Sequence, residues 1–156
     1  MTPRALPAPA LLAAALLPLL AAACARGPAR PAALDTRNDL CSSCRMAVSD
    51  RRFAAQIAAP GEEPKFFDDI GCLRNFLAAS QDLPGEARIF VADHRTGDWV
   101  PASLAVFMSV PGLQTPMDSH WIAHAYAGSR DTDPAARDGV PIPVSAIFGP
   151  ACPPGA

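Results

Sequence analysis

The chain lacks an excess of basic charge. Its 13 Lys and Arg face 15 Asp and Glu, a formal net charge of −2. That balance excludes a broadly basic nucleic-acid binder. Cysteine is scarce: five in 156 residues are too few for a disulfide-built scaffold of this size. A second Cys-x-x-Cys, a phosphate-binding glycine loop, a Ser-His-Asp arrangement and an acid-base pair are all missing, so the expected function is not enzymatic. No residue-by-residue repeat is visible. The length allows one domain or two very small ones.

The N-terminus reads as an export signal. Residues 1–9 carry one positive charge, Arg4, and residues 10–23 are apolar apart from Pro18. That run is shorter than a comfortable membrane span of about 20 residues and matches a signal peptide's apolar core. It ends in Ala21-Ala22-Ala23-Cys24. Small residues before a cysteine resemble a bacterial lipobox, in which the cysteine is acylated and becomes the first residue of the mature protein. Ordinary cleavage within the alanine run is the alternative. Several acyl chains on one residue anchor far more firmly than one. Of 32 alanines, 13 lie in the first 33 residues, so much of the apolar share belongs to a discarded segment. With Cys24 lipidated, the thiols left are Cys41, Cys44, Cys72 and Cys152, in a compartment where disulfides are allowed.

The expected organisation is a signal peptide at 1–23, the anchor cysteine and a flexible tether at 24–39, a first ββα(β) unit at 40–85, a second ββαβ-like unit at 86–149 and a tail at 150–156. The tether is Pro/Ala/Arg-rich without an apolar period. In the first unit, residues 52–58 and 65–68 suit strands around the turn Pro60-Gly61-Glu62-Glu63-Pro64. Asp69 then suits a helix N-cap, with Ile70, Leu73, Phe76 and Leu77 at helical spacing behind it. In the second unit, residues 88–92, 98–102, 104–110 and 120–127 suit extended segments. Asp133 and Pro134 suit the start of a short helix, and residues 144–148 suit a closing strand. The expected fold class is α+β, two small ββαβ-like units with short antiparallel strands.

The chemistry concentrates in Cys41-Ser42-Ser43-Cys44-Arg45-Met46. Two thiols and a thioether within six residues select soft Cu(I) over harder ions. A structural zinc site would want a second Cys or His pair, and thioether is a poor zinc ligand. A redox pair or a structural disulfide, Cys41 to Cys44 or to Cys72, is the competing reading. Redox catalysis would want the pair at a helix start in a thioredoxin-like pattern, and a strand-like segment follows instead. Met117 lies in Thr-Pro-Met, a stiff turn that core packing explains poorly. His120 and His124, four apart, share a face in an extended strand and would point at one site; two surface histidines are the plain alternative. His94, in a polar turn, is expected to be exposed, and Met108 to be core. Asp68 would hold a turn or orient a ligand. Cys72 would be a small buried hydrophobe or a further thiol.

The strings CSSCRM, RFAAQI, FDDIGCLRNFL, VADHRTGDWVPASLAVFM and TPM, in that order, resemble the NosL family of nitrous-oxide reductase accessory lipoproteins. The resemblance runs from about Asp39 to Tyr126. It implies a periplasmic Cu(I) chaperone anchored to the outer membrane, serving nitrous-oxide reductase, and a pair of small ββαβ units. Its copper site implies Cys41, Cys44 and Met46, joined by Met117 and a nearby histidine, for which His120 is the candidate here. After TPM this chain departs from its relatives' small residues with Asp118-Ser119-His120-Trp121. The expected partners are nitrous-oxide reductase, a membrane transporter complex and, through Cys24, the membrane. A thiol-disulfide oxidoreductase using Cys41 and Cys44, or a structural lipoprotein, is the alternative.

Overall fold

Among the described residues, the chain forms seven short strands and three helices. The computed structural model describes residues 27–79 and 83–149. Strands β1 (Ala55–Ala58) and β2 (Lys65–Phe67) are followed by helix α1 (Ile70–Ala79). Then come β3 (Arg88–Ala92), β4 (Trp99–Pro101), β5 (Val106–Ser109) and β6 (Trp121–His124). Helix α2 (Ala127–Asp131), β7 (Val140–Ile142) and helix α3 (Val144–Phe148) complete the order. The class is α+β, and every pair of adjacent strands is antiparallel. Cys24, Cys152 and residues 1–23, where the sequence suggests an export signal, lie outside the described residues.

The strands form two sheets, β2-β1-β3-β4 and β6-β5-β7. The first crosses the division that the sequence places at 85/86: β3 pairs with β1 in the register Ala55 to Val91 and Ile57 to Ile89. Strand β1 is central and wholly buried, which small alanines around one β-branched isoleucine permit. A parallel bridge between Asp93 and Ala123 ties the two sheets together.

The main core runs through both sheets and α1. It includes Val48, Ile57, Phe67, Ile70, Leu73, Val91, Phe107, Ile147 and Phe148. In β5, neighbouring side chains go to opposite faces, as strand geometry requires. Phe107 joins the main core, while Met108 faces Phe53, Val110, Ile122 and Ala136 in a smaller cluster.

Three local expectations change. Residues 144–148 form α3, because Ile147 and Phe148 reach the core from a single helical turn. Phe53 belongs to a 3-10 turn (Arg51–Phe53) capped by Asp50, so the first strand begins only at Ala55. The tether is docked from Ala32 onward. Ala32 N–H donates to Gln56 Oε1 at 2.8 Å, Gln56 Nε2 donates back to the Ala32 carbonyl at 3.2 Å, and Leu34 packs on the core. Gln56 is fully buried, and this reciprocal pair satisfies its amide.

Candidate metal centre

The CxxC segment is a tight loop closed by an antiparallel bridge between Leu40 and Ala47. Cys41 N–H donates to the Met46 carbonyl at 2.7 Å, and Arg45 N–H donates to the Cys41 carbonyl at 2.9 Å. Closing so short a turn places Arg45 at φ +69°, a region costly for a residue with a Cβ. Ser42 N–H donates to the Phe66 carbonyl at 2.8 Å, which fastens the loop to β2. Cys41 is fully buried, Cys44 half-buried.

Strand β2 leads directly into Asp68 and Asp69, and both are buried. Asp69 is the helix N-cap that the sequence predicts. Its carbonyl accepts from Leu73 N–H at 3.2 Å, and its Oδ1 accepts from Gly71 N–H at 2.6 Å. The first turn of α1 then carries Cys72 inward. Cys41, Cys44, Asp68 and Cys72 converge so that one ligand atom of each lies within 4.8 Å of the others. Cys44 Sγ lies 3.6 Å from both Asp68 carboxylate oxygens. All three cysteines are free thiols. Sequence reasoning placed Cys41 and Cys44 together through their spacing. Asp68 and Cys72 join them because a strand and a helix start face the loop. The string Asp68-Asp69-Ile70-Gly71-Cys72 was the available signal.

Burial pushes the Cys41 thiol above its ordinary pKa. Burial does the same for Cys72, aided by the neighbouring Cys41 and Asp68. A metal entering here displaces protons from thiols that hold them firmly.

The Thr115-Pro116-Met117 turn docks on the same helix start. Met117 N–H donates to Asp69 Oδ2 at 3.0 Å, so one carboxylate caps α1 and holds the methionine turn. Gly71 makes the close approach possible: a Cβ there would lie 2.8 Å from Ser119 Cβ. Gly71→Ala is expected to destabilise the fold by about 1 kcal/mol, the steric cost outweighing the better helix propensity of alanine. Thermal unfolding checks this, and an unchanged or raised melting temperature contradicts it.

Met46 and Met117 are 48% and 44% exposed, unlike Met108, which is core as expected. The two histidines go separate ways. His120 precedes β6 at φ +60°, so strand alternation does not relate it to His124. Its Nδ1 donates to the Leu113 carbonyl at 2.7 Å. His120 is not among the residues of the cysteine cluster. His124 is fully buried and turns instead to Asp133. His94 is also buried, contrary to expectation, because its N–H is drawn to the Ala123 carbonyl at 2.8 Å.

The NosL family profile matches residues 31–128, more than half of the chain. The chain belongs to the NosL family. The NosL match takes in the CxxCxM loop, the Asp68 to Cys72 helix start and the methionine turn, and it ends before Asp133. No curated protein and no solved structure matches significantly. In this NosL chain the cysteines and a carboxylate thus make a potential metal site, assembled from segments that all lie inside the matched stretch.

Proposed function

We propose that the protein is a Cu(I)-binding metallochaperone that supplies copper for maturation of nitrous-oxide reductase. In this reading it is exported to the periplasm and held at the outer membrane by a lipid on Cys24. The observation that carries the proposal is the convergence of three thiols beside one carboxylate in a NosL-family chain. Thiolates suit Cu(I), the softest of the common biological ions. Cys41 and Cys72 supply the enclosed side of the site and Cys44 its more accessible side. Asp68, accepting from Cys44, orients that sulfur. Met46 and Met117 are exposed thioethers on segments that abut the site. A thioether binds Cu(I) without losing a proton, so it suits a ligand gained and released during transfer. The reaction is exchange of the cargo ion between ligand sets, in which thiol protons leave as the ion binds and return as it departs. The apoenzyme and an associated membrane transporter are the partners in this scheme.

The closeness of three thiols also favours a thiol-disulfide oxidoreductase. An attacking thiol needs a lowered pKa, and burial moves Cys41 and Cys72 the other way.

The decisive experiment is a Cu(I) titration of reduced protein against a chromogenic chelator. One Cu(I) per chain is expected. Apparent affinity should fall as pH falls, by up to about tenfold per pH unit for each thiol displaced, because raised thiol pKa values mean protons compete more strongly. Met46→Ala should weaken binding about tenfold while leaving stability unchanged, since the side chain is half exposed. Absence of chelator-resistant Cu(I) would sink the reading. Silent Met46→Ala, together with disulfide exchange lost in the Cys41→Ser/Cys44→Ser variant, would favour the oxidoreductase.

A further inference from the structure

We propose that His94, His124 and Asp133 form a second metal site, for a divalent transition ion of borderline softness. It does not depend on what the cysteine cluster binds. Three separate elements build it. His94 follows the bridge at the end of β3, His124 ends β6, and Asp133 caps the 3-10 turn Pro134–Ala136. Asp133 uses Oδ1 for that cap, accepting from Ala135 N–H at 2.9 Å. Its Oδ2 is left to the imidazoles, 2.6 Å from His94 Nδ1 and 2.9 Å from His124 Nε2. The rings are inclined at 70°, so the two nitrogens approach the oxygen from different directions. All three side chains are buried, and their donor atoms lie within 4.8 Å of one another.

Two imidazoles and a carboxylate are the donors that Zn(II) and its neighbours take, at about 2.0–2.2 Å. Tetrahedral bonds of that length separate ligand atoms by about 3.3 Å. The present contacts therefore need to open by roughly half an ångström, with protons leaving the facing nitrogens. No sulfur is present, so the set discriminates against Cu(I). Three protein ligands leave a fourth position open, the arrangement of an exchangeable site.

His124 Nδ1 is buried without a hydrogen-bond partner, so the ring is held on its polar side by Asp133 alone, through Nε2. Asp133 also lines a cavity of about 450 Å³ with Met108, Arg130 and Arg137. Asp133 lies beyond the stretch matched by the family.

Zn(II) is the probe. Isotope-labelled wild-type protein is titrated with Zn(II) while the ring nitrogens of its histidines are followed by NMR. The expected result is a large shift at His94 Nδ1 and His124 Nε2. In competition with a chromogenic zinc chelator, Asp133→Asn and His124→Gln should each weaken this binding at least tenfold, with folding checked by circular dichroism. Zinc at the cysteines would not move these nitrogens. Wild-type protein whose His94 and His124 nitrogens stay unmoved by Zn(II) overturns the proposal, even if both variants misfold. So does a folded Asp133→Asn variant that holds zinc on those nitrogens with unchanged affinity. Either result makes the triad a structural hydrogen-bond hub.

Discussion

Cys44→Ser is expected to weaken Cu(I) binding by more than 100-fold while leaving the fold intact. Serine is nearly isosteric with cysteine, and its hydroxyl can still donate to Asp68, which Cys44 Sγ approaches at 3.6 Å. Cys44 is also only half-buried, whereas Cys41 and Cys72 belong to the core cluster. A change at Cys44 therefore removes a soft donor with little loss of packing. Losing a hydrogen-bonded supporter of a metal ligand typically costs about 10–100-fold in affinity, and losing the ligand itself should exceed that. A 100-fold loss is about 2.7 kcal/mol of binding free energy. Chelator competition measures it, and thermal unfolding of the copper-free variant supplies the control. Unchanged affinity removes Cys44 from the site. A large fall in stability would instead mark its role as structural.

Asp69→Ala is expected to cost roughly 2–3 kcal/mol of stability, the sum of a lost N-cap and a lost hydrogen bond to Met117 N–H. Both bonds come from one fully buried carboxylate, through Oδ1 to Gly71 and Oδ2 to Met117. Alanine removes them together and leaves a gap where the methionine turn meets α1. Asn keeps one acceptor oxygen, so Asp69→Asn should fall between wild type and alanine. The melting temperature should drop by roughly 10 °C in the alanine variant. If Met117 takes part in copper binding, Cu(I) affinity should fall as well, although Asp69 is not itself in the cysteine cluster. A melting temperature within roughly 2–3 °C of wild type, the effect of about half a kcal/mol, would mean that Asp69 carries neither bond in solution.

Much of this arrangement was legible in the sequence wherever one local rule dominated. Asp69 as N-cap, Asp133 before Pro134 in a short helical turn, and β3 and β4 around Gly97 follow from capping and turn chemistry within a few residues. Residues 144–148 suit a strand by sequence yet form a helix, because a short apolar run has no period long enough to separate the two. The surface they bury against decided it, through Ile147 and Phe148. His94 misled for a related reason. Asp93, Arg95 and Thr96 make its turn look exposed, and Arg95 and Thr96 are exposed, but the bridge to Ala123 turns the histidine inward.

The candidate sites divide along the same line. The sequence by itself determined the α+β class, the family resemblance and the pairing of Cys41 with Cys44, because neighbours in the chain cannot be far apart in space. Only the tertiary structure decided that Asp68 and Cys72 complete that cluster, that His120 and His124 part company, and that His94 and His124 meet on Asp133. His94 and Asp133 are 39 residues apart, and Cys44 and Asp68 are 24 apart. Contacts at such separations are set by strand pairing and by where buried faces close on one another, and a linear pattern of residue types does not encode them.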